Sequence, residues 1–149
     1  MKSESQRRQR GFTLIELLVV LVIIGIVASI GIVAVMNALD KAKQRATMSD
    51  MRTLSKAIEV YSVDQGFLPS AAGGVLGLQS VLIPYQSSLV PVKDAWGHLY
   101  GYTRGDTGDY TIESYGKDGV AGEDITVATK DDFTQDIVIA NGQFVAAPQ

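Results

Sequence analysis

The stretch "RRQRGFTLIELLVVLVIIGIVASIGIV", residues 7–33, sets one carboxylate, Glu16, just inside an apolar run. From Leu17 to Leu39 there are 23 residues without a formal charge. As a helix this run extends about 34 Å, enough to cross a hydrocarbon core of about 30 Å. An ionised group at the centre of a spanning helix costs about 2.5–3.5 kcal/mol on insertion scales, so a carboxylate inside its start marks a function or a partner. A secretory signal has a shorter apolar region, about 7–15 residues, ending in a small-residue cleavage site. Here the run continues into further helical pattern, so a retained spanning helix is expected.

Charge is distributed unevenly around that helix. The 149-residue chain has a net charge of −3, yet Lys2, Arg7, Arg8 and Arg10 face only Glu4 in residues 1–11, leaving a leader of +3 and a remainder of −6. Basic residues ahead of an apolar segment stay cytoplasmic, which puts the chain beyond the segment outside the inner membrane. The acidity of that portion argues against a nucleic-acid surface, which needs clustered Lys and Arg. The chain has no cysteine, so an exported domain of this size must be stabilised without disulfides, as small domains are by a metal or by oligomerisation.

Past Leu39 the sequence becomes charged, but no proline occurs before Pro69 and the helix is expected to continue. Met51, Leu54, Ile58 and Tyr61 recur at helical spacing and form a stripe suited to packing on a sheet, with Arg52, Lys56 and Glu59 facing elsewhere. Gly66 and "GFLP" end it. Gly25 and Gly31 are either weak points in the helix or sites of close helix contact. Beyond a loop, a short helix is predicted near 77–82, followed by strands at 98–103, 109–115 and 135–141, the first two joined through the tight turn "RGDTG". The C-terminal "FVAAPQ" reads as an edge segment or a tail. The fold class is α+β, a long N-terminal helix on a small antiparallel sheet. His98, the single histidine, has no cysteine companion, and neither a nucleophile–base set nor a phosphate-cradling glycine loop can be assembled. Catalysis therefore has little support.

"RGFTLIELLVVLVIIG" resembles the prepilin signature of type IV pilins and of the pseudopilins of type II secretion systems. The resemblance implies cleavage between Gly11 and Phe12 by a prepilin peptidase, N-methylation of Phe12 to N-methylphenylalanine, and assembly in which Glu16 faces the Phe12 amine of a neighbouring subunit. In one straight helix Phe12 and Glu16 stand four residues apart, so a pair within one chain is also geometrically open. Many members carry a proline where this sequence has Val33. The implied organisation is a leader over 1–11, a transmembrane and assembly helix over 12–39 and a periplasmic, type IV pilin-like domain over 40–149. That domain comprises helix continuation to 65, a loop over 66–93, and the sheet with an acidic loop over 94–149.

"DAWGHLYGY", residues 94–102, resembles the Asp-Pro-Trp-Gly element of major pseudopilins, with Ala95 in place of the proline, and implies a turn with a buried indole. "SYGKDGVAGEDI", residues 114–125, resembles their calcium loop. Matched residue by residue, Asp118, Glu123 and Asp124 stand at the acidic ligands, and Tyr115 and Val120 at the positions that give backbone carbonyls. Calcium takes six to eight hard oxygens in flexible geometry, which suits such a loop. A second acidic group, Asp131, Asp132 and Asp136, offers a different closing of the site through Asp136-Ile137. An ordinary Asp-Gly turn with solvated acids is the alternative without a metal.

The resemblance as a whole implies a major pseudopilin, a single-pass inner-membrane subunit with its N-terminus cytoplasmic, that polymerises into a periplasmic filament. Its implied partners are further copies of itself, minor pseudopilins, the prepilin peptidase and an inner-membrane assembly platform. Two other readings stand beside it: a type IV pilin of a surface fibre for adhesion, motility or DNA uptake, and a non-polymerising, membrane-anchored calcium-binding module.

Overall fold

A computed structural model describes residues 11–70, 72–86, 89–126, 129 and 131–148. The basic residues of the expected leader, 1–10, lie outside the described residues. Residues up to Ala38 and those from Leu39 onward form two compact units.

The first unit is the beginning of helix α1, Leu14–Gln65. With Val33 in place of proline, every residue there keeps its amide for the helical ladder, and the helix passes through 33 without interruption. Its side chains from Leu14 to Leu39 are exposed throughout, and by length and composition α1 can cross a membrane.

The second unit contains the rest of α1, ending one residue before the expected Gly66, which takes a left-handed φ of 77°. Helix α2, Gly74–Leu82, starts three residues ahead of the expected 77 and ends in a 3-10 turn at Ile83–Tyr85. Four antiparallel strands follow in the order β1-β2-β3-β4: Gly101–Arg104, Tyr110–Ser114, Ile137–Ala140 and Gln143–Ala146. Of the segment read as edge or tail, 144–146 therefore lie in β4, while Ala147 and Pro148 lie beyond it. Asn141 and Gly142 make a two-residue turn between β3 and β4, with φ of 48° and 83°, as hairpins of matching twist require.

The expected stripe on α1 is the centre of the core. Met51, Leu54 and Ile58 are fully buried, while Tyr61, nearer the helix end, is half-buried against the core's margin. They join Val75, Leu78 and Leu82 of α2 and the inward residues of the sheet, Tyr102, Tyr110, Ile112, Ile137 and Ile139. Tyr110 also ties sheet to helix through its hydroxyl, 2.7 Å from Ser55 Oγ.

Candidate functional site

At the head of α1 the chain forms a capping box. The backbone N–H and hydroxyl of Thr13 both donate to Glu16 Oε2 at 2.8 Å, and Glu16 N–H donates to Thr13 Oγ1 at 3.3 Å. Phe12 precedes the first helical residue, and the Glu16 carboxylate is held by Thr13. Thr13 was not picked out by the sequence reading, although Thr-x-x-Glu ahead of an apolar run is itself a helix-start signal. Gly11 and Phe12 are exposed and non-helical.

The turn at 94–98 is built by a buried aspartate. Asp94 Oδ1 accepts from the amides of Trp96 and His98 at 3.0 and 2.9 Å, and Oδ2 accepts from Ser114 Oγ at 2.9 Å. The indole expected to be buried is half-buried, because its N–H reaches Asp40 Oδ1, 3.4 Å away at the domain's margin. Ala95, standing where the resembling element has proline, donates its N–H to the fully buried Thr47 Oγ1 at 3.1 Å. A proline has no N–H to give. Ala95→Pro is expected to cost about 0.5–1.5 kcal/mol, the value of one hydrogen bond, read as a lower denaturant midpoint at unchanged slope.

Beyond this turn the acidic residues sort into different roles. Among the described residues one group of carboxylates converges: Glu113 of β2, Asp124 and Asp136 each offer an oxygen within 4.8 Å of the others. Asp124 and Asp136 are brought together by a parallel bridge, with Ile125 N–H donating to Asp136 O at 2.8 Å and Asp136 N–H to Glu123 O at 3.0 Å. Asp136 is 2 % exposed; Oδ2 accepts from Gly122 N–H at 2.8 Å, while Oδ1 is buried without a hydrogen-bond partner among the described residues. Such an orphaned buried oxygen calls for a missing partner.

Burial raises the Asp136 carboxyl above its ordinary range, and the charges of Asp124 and Asp118 add to this against the Gly122 amide. Glu113 is raised in the same way, by burial first and then by Asp136 and Asp124. Three hard oxygens held together against their mutual repulsion can take a divalent cation such as calcium.

The other residues named from the sequence have partners of their own. Asp118 accepts from Val120 N–H at 3.1 Å, capping its own turn, and the Tyr115 carbonyl accepts from Gly119 N–H at 3.2 Å. Glu123 contributes its carbonyl to the bridge, and its side chain is outside the convergent group. Asp131 pairs with Lys41 at 2.9 Å, and Asp132 holds the backbone and hydroxyl of Thr134. Gly116, at a φ of 62°, lets the loop lie on the segment before β3: a Cβ there would meet Phe133 O at 2.7 Å. Glu113 escaped the sequence reading because an acidic residue on the outward side of a strand has no local mark of its own.

Comparison with known proteins matches residues 34–131 to the family "Type II secretion system (T2SS), protein G" and residues 6–35 to the "Prokaryotic N-terminal methylation motif". Similar proteins named type II secretion system core protein G include that of Klebsiella michiganensis, 34 % identical over 129 residues that cover 80 % of this chain and 91 % of the relative. That of Escherichia coli (strain K12) is 33 % identical over 138 residues, 85 % of this chain and 90 % of the relative. That of Pseudomonas aeruginosa is 35 % identical over 131 residues, covering 78 % and 89 % respectively.

Proposed function

We propose that this chain, which belongs to the type II secretion system protein G family, is the structural subunit of a type II secretion pseudopilus. The observation that carries this function is the joint match: the family's domain over 34–131 is preceded by the methylation motif over 6–35, at the head of a helix able to cross a membrane. The relatives are secretion-system proteins, which favours the secretion filament over a surface fibre or a solitary anchored module. The family is structural, and the chain works by assembling.

The subunit sits in the inner membrane by its apolar helix, with the leader cytoplasmic and the domain from Asp40 onward periplasmic. A prepilin peptidase cuts between Gly11 and Phe12. The freed amine of Phe12 is a cation entering an apolar setting, and Glu16 of a neighbouring copy supplies the matching anion, which also sets axial register. Buried pairs of this kind serve specificity better than stability, since either charge alone is uncompensated. Copies stack into a periplasmic filament whose growth, on an inner-membrane platform and together with minor pseudopilins, helps folded proteins cross the outer membrane.

The residues of the acidic site fit calcium. Glu113, Asp124 and Asp136 would hold it, with Asp118 adding charge from the adjoining turn. When bound, the ion supplies the positive charge that these carboxylates lack and ties the loop to β2 and β3. Asp136 Oδ1, buried and unpartnered, is what supports this assignment.

Intact mass measurement of the protein purified from its native membrane tests the function. A chain beginning at Phe12 and heavier by one methyl group is expected; a chain still beginning at Met1 opposes assembly and returns the solitary module.

A further inference from the structure

We propose that Asp40 is a positioning residue for the acidic site: it holds the Lys117 ammonium away from Glu113, Asp124 and Asp136, and so keeps those carboxylates open to a cation. The inference rests on the calcium assignment above and adds a means by which its affinity is set.

Lys117 is the only basic residue between Arg104 and Lys130, so it is the one cation the loop itself carries. Its backbone lies beside the site, with its N–H donating to Phe133 O at 2.7 Å, three residues ahead of Asp136. The next residue, Asp118, is close enough for its charge to act on Asp136, and a flexible four-carbon stem at 117 can offer its ammonium to the same group. Three nearby negative charges would ordinarily draw it in. Instead Lys117 Nζ lies 2.8 Å from Asp40 Oδ2, on α1.

Asp40 is well suited to this hold. It is 7 % exposed, its other oxygen accepts the Trp96 indole N–H at 3.4 Å, and its pairing with Lys117 keeps its carboxyl below the ordinary range. The neighbouring Lys41 is paired with a different acid, Asp131, at 2.9 Å. With Asp40 in place, the carboxylates of Glu113, Asp124 and Asp136 have no lysine paired to them among the described residues. With Asp40 neutral, Lys117 becomes a tethered competitor for the site.

The test uses the full chain in detergent micelles. Calcium titration is expected to show Asp40→Asn binding roughly tenfold more weakly, the effect of one cation placed against the carboxylates. Asp40→Asn combined with Lys117→Met restores the affinity, because the competitor is gone; a merely structural role for Asp40 would leave the double variant as weak as the single one. Zero-length carbodiimide cross-linking of the metal-free protein, mapped by peptide mass, gives a readout that needs no calcium. Lys117 is expected to couple to Asp40 in the wild type and to Glu113, Asp124 or Asp136 in Asp40→Asn. Unchanged affinity in Asp40→Asn, failure of the double variant to recover, or absence of the new cross-link each overturns the proposal. If the wild type binds no calcium, the calcium assignment falls, and the cross-link alone still decides where Lys117 goes.

Discussion

Glu16→Ala is expected to abolish filament assembly while leaving the domain from Leu39 onward folded. In the free chain the Glu16 carboxylate is occupied by Thr13, so it has a local use as well as the proposed intermolecular one. The two uses differ in magnitude. A capping interaction is worth about 1 kcal/mol. A Phe12 amine left without an anion inside a bilayer-like bundle costs about 2.5–3.5 kcal/mol at each subunit contact. The larger figure is a factor of about a hundred in each association equilibrium, and a polymer repeats it at every step.

The pair of variants separates the two uses. Thr13→Ala removes the hydroxyl from the cap and keeps the Glu16 carboxylate, so filaments should persist at near-normal yield, whereas Glu16→Ala should leave monomer in the membrane. Electron microscopy and shear-released pellet yield measure both. Equal loss in the two variants would make capping, and not recognition of the amine, the role of Glu16.

Removing calcium is expected to lower the melting temperature of the full chain by roughly 10–20 °C. A ligand at a hundred times its dissociation constant adds about 2.7 kcal/mol, and for a domain of about a hundred residues each kcal/mol moves the midpoint by about 4–8 °C. Asp136→Asn should lose the calcium response, since it removes the charge of the buried carboxylate whose Oδ1 has no other partner. A melting curve identical in excess calcium and in chelator would make the acidic loop an ordinary turn.

The same shift should depend on pH. Asp136 and Glu113 are pushed above their ordinary values, so without a cation the folded domain binds protons at these sites more readily than the unfolded chain. Their contribution to stability is full below the unfolded carboxylate pKa values of about 4 and is lost as pH rises through the folded values. Calcium bound as proposed would replace those protons and act most where the carboxylates are ionised. The calcium-dependent shift is therefore largest at neutral pH and shrinks as pH falls into the carboxylate range.

Local chemistry accounts for what could be read without tertiary structure. The basic leader, the Gly11-Phe12 junction, the uncharged run and Glu16 are contiguous, and together they imply processing and a spanning helix. The stripe Met51, Leu54, Ile58 is periodic within one helix, and the alternation in β2 that points Tyr110, Ile112 and Ser114 inward is periodic within one strand. These patterns follow from 3.6-residue and 2-residue repeats. The β4 strand had no such signal of its own: a run of four residues became a strand because the Asn141-Gly142 turn folds it back onto β3.

The acidic site was only half legible for a related reason. Asp118 and Asp124 stand out in a motif-like loop, and Asp136 offered a competing closure, but nothing local chooses among carboxylates spread over 113–136. Register makes that choice. Pairing of β2 with β3, Ser114 opposite Ile137, places Asp136 beside the end of β2, and the bridge to Asp124 delivers the third oxygen. The partners of Asp40 lie 56 and 77 residues away, at Trp96 and Lys117. The sequence by itself determined where the apolar helix runs and how helix and strands are patterned, because those properties reside in neighbouring residues; only tertiary structure decided which charges meet, because opposite and like charges at long separation converge through strand register and helix packing.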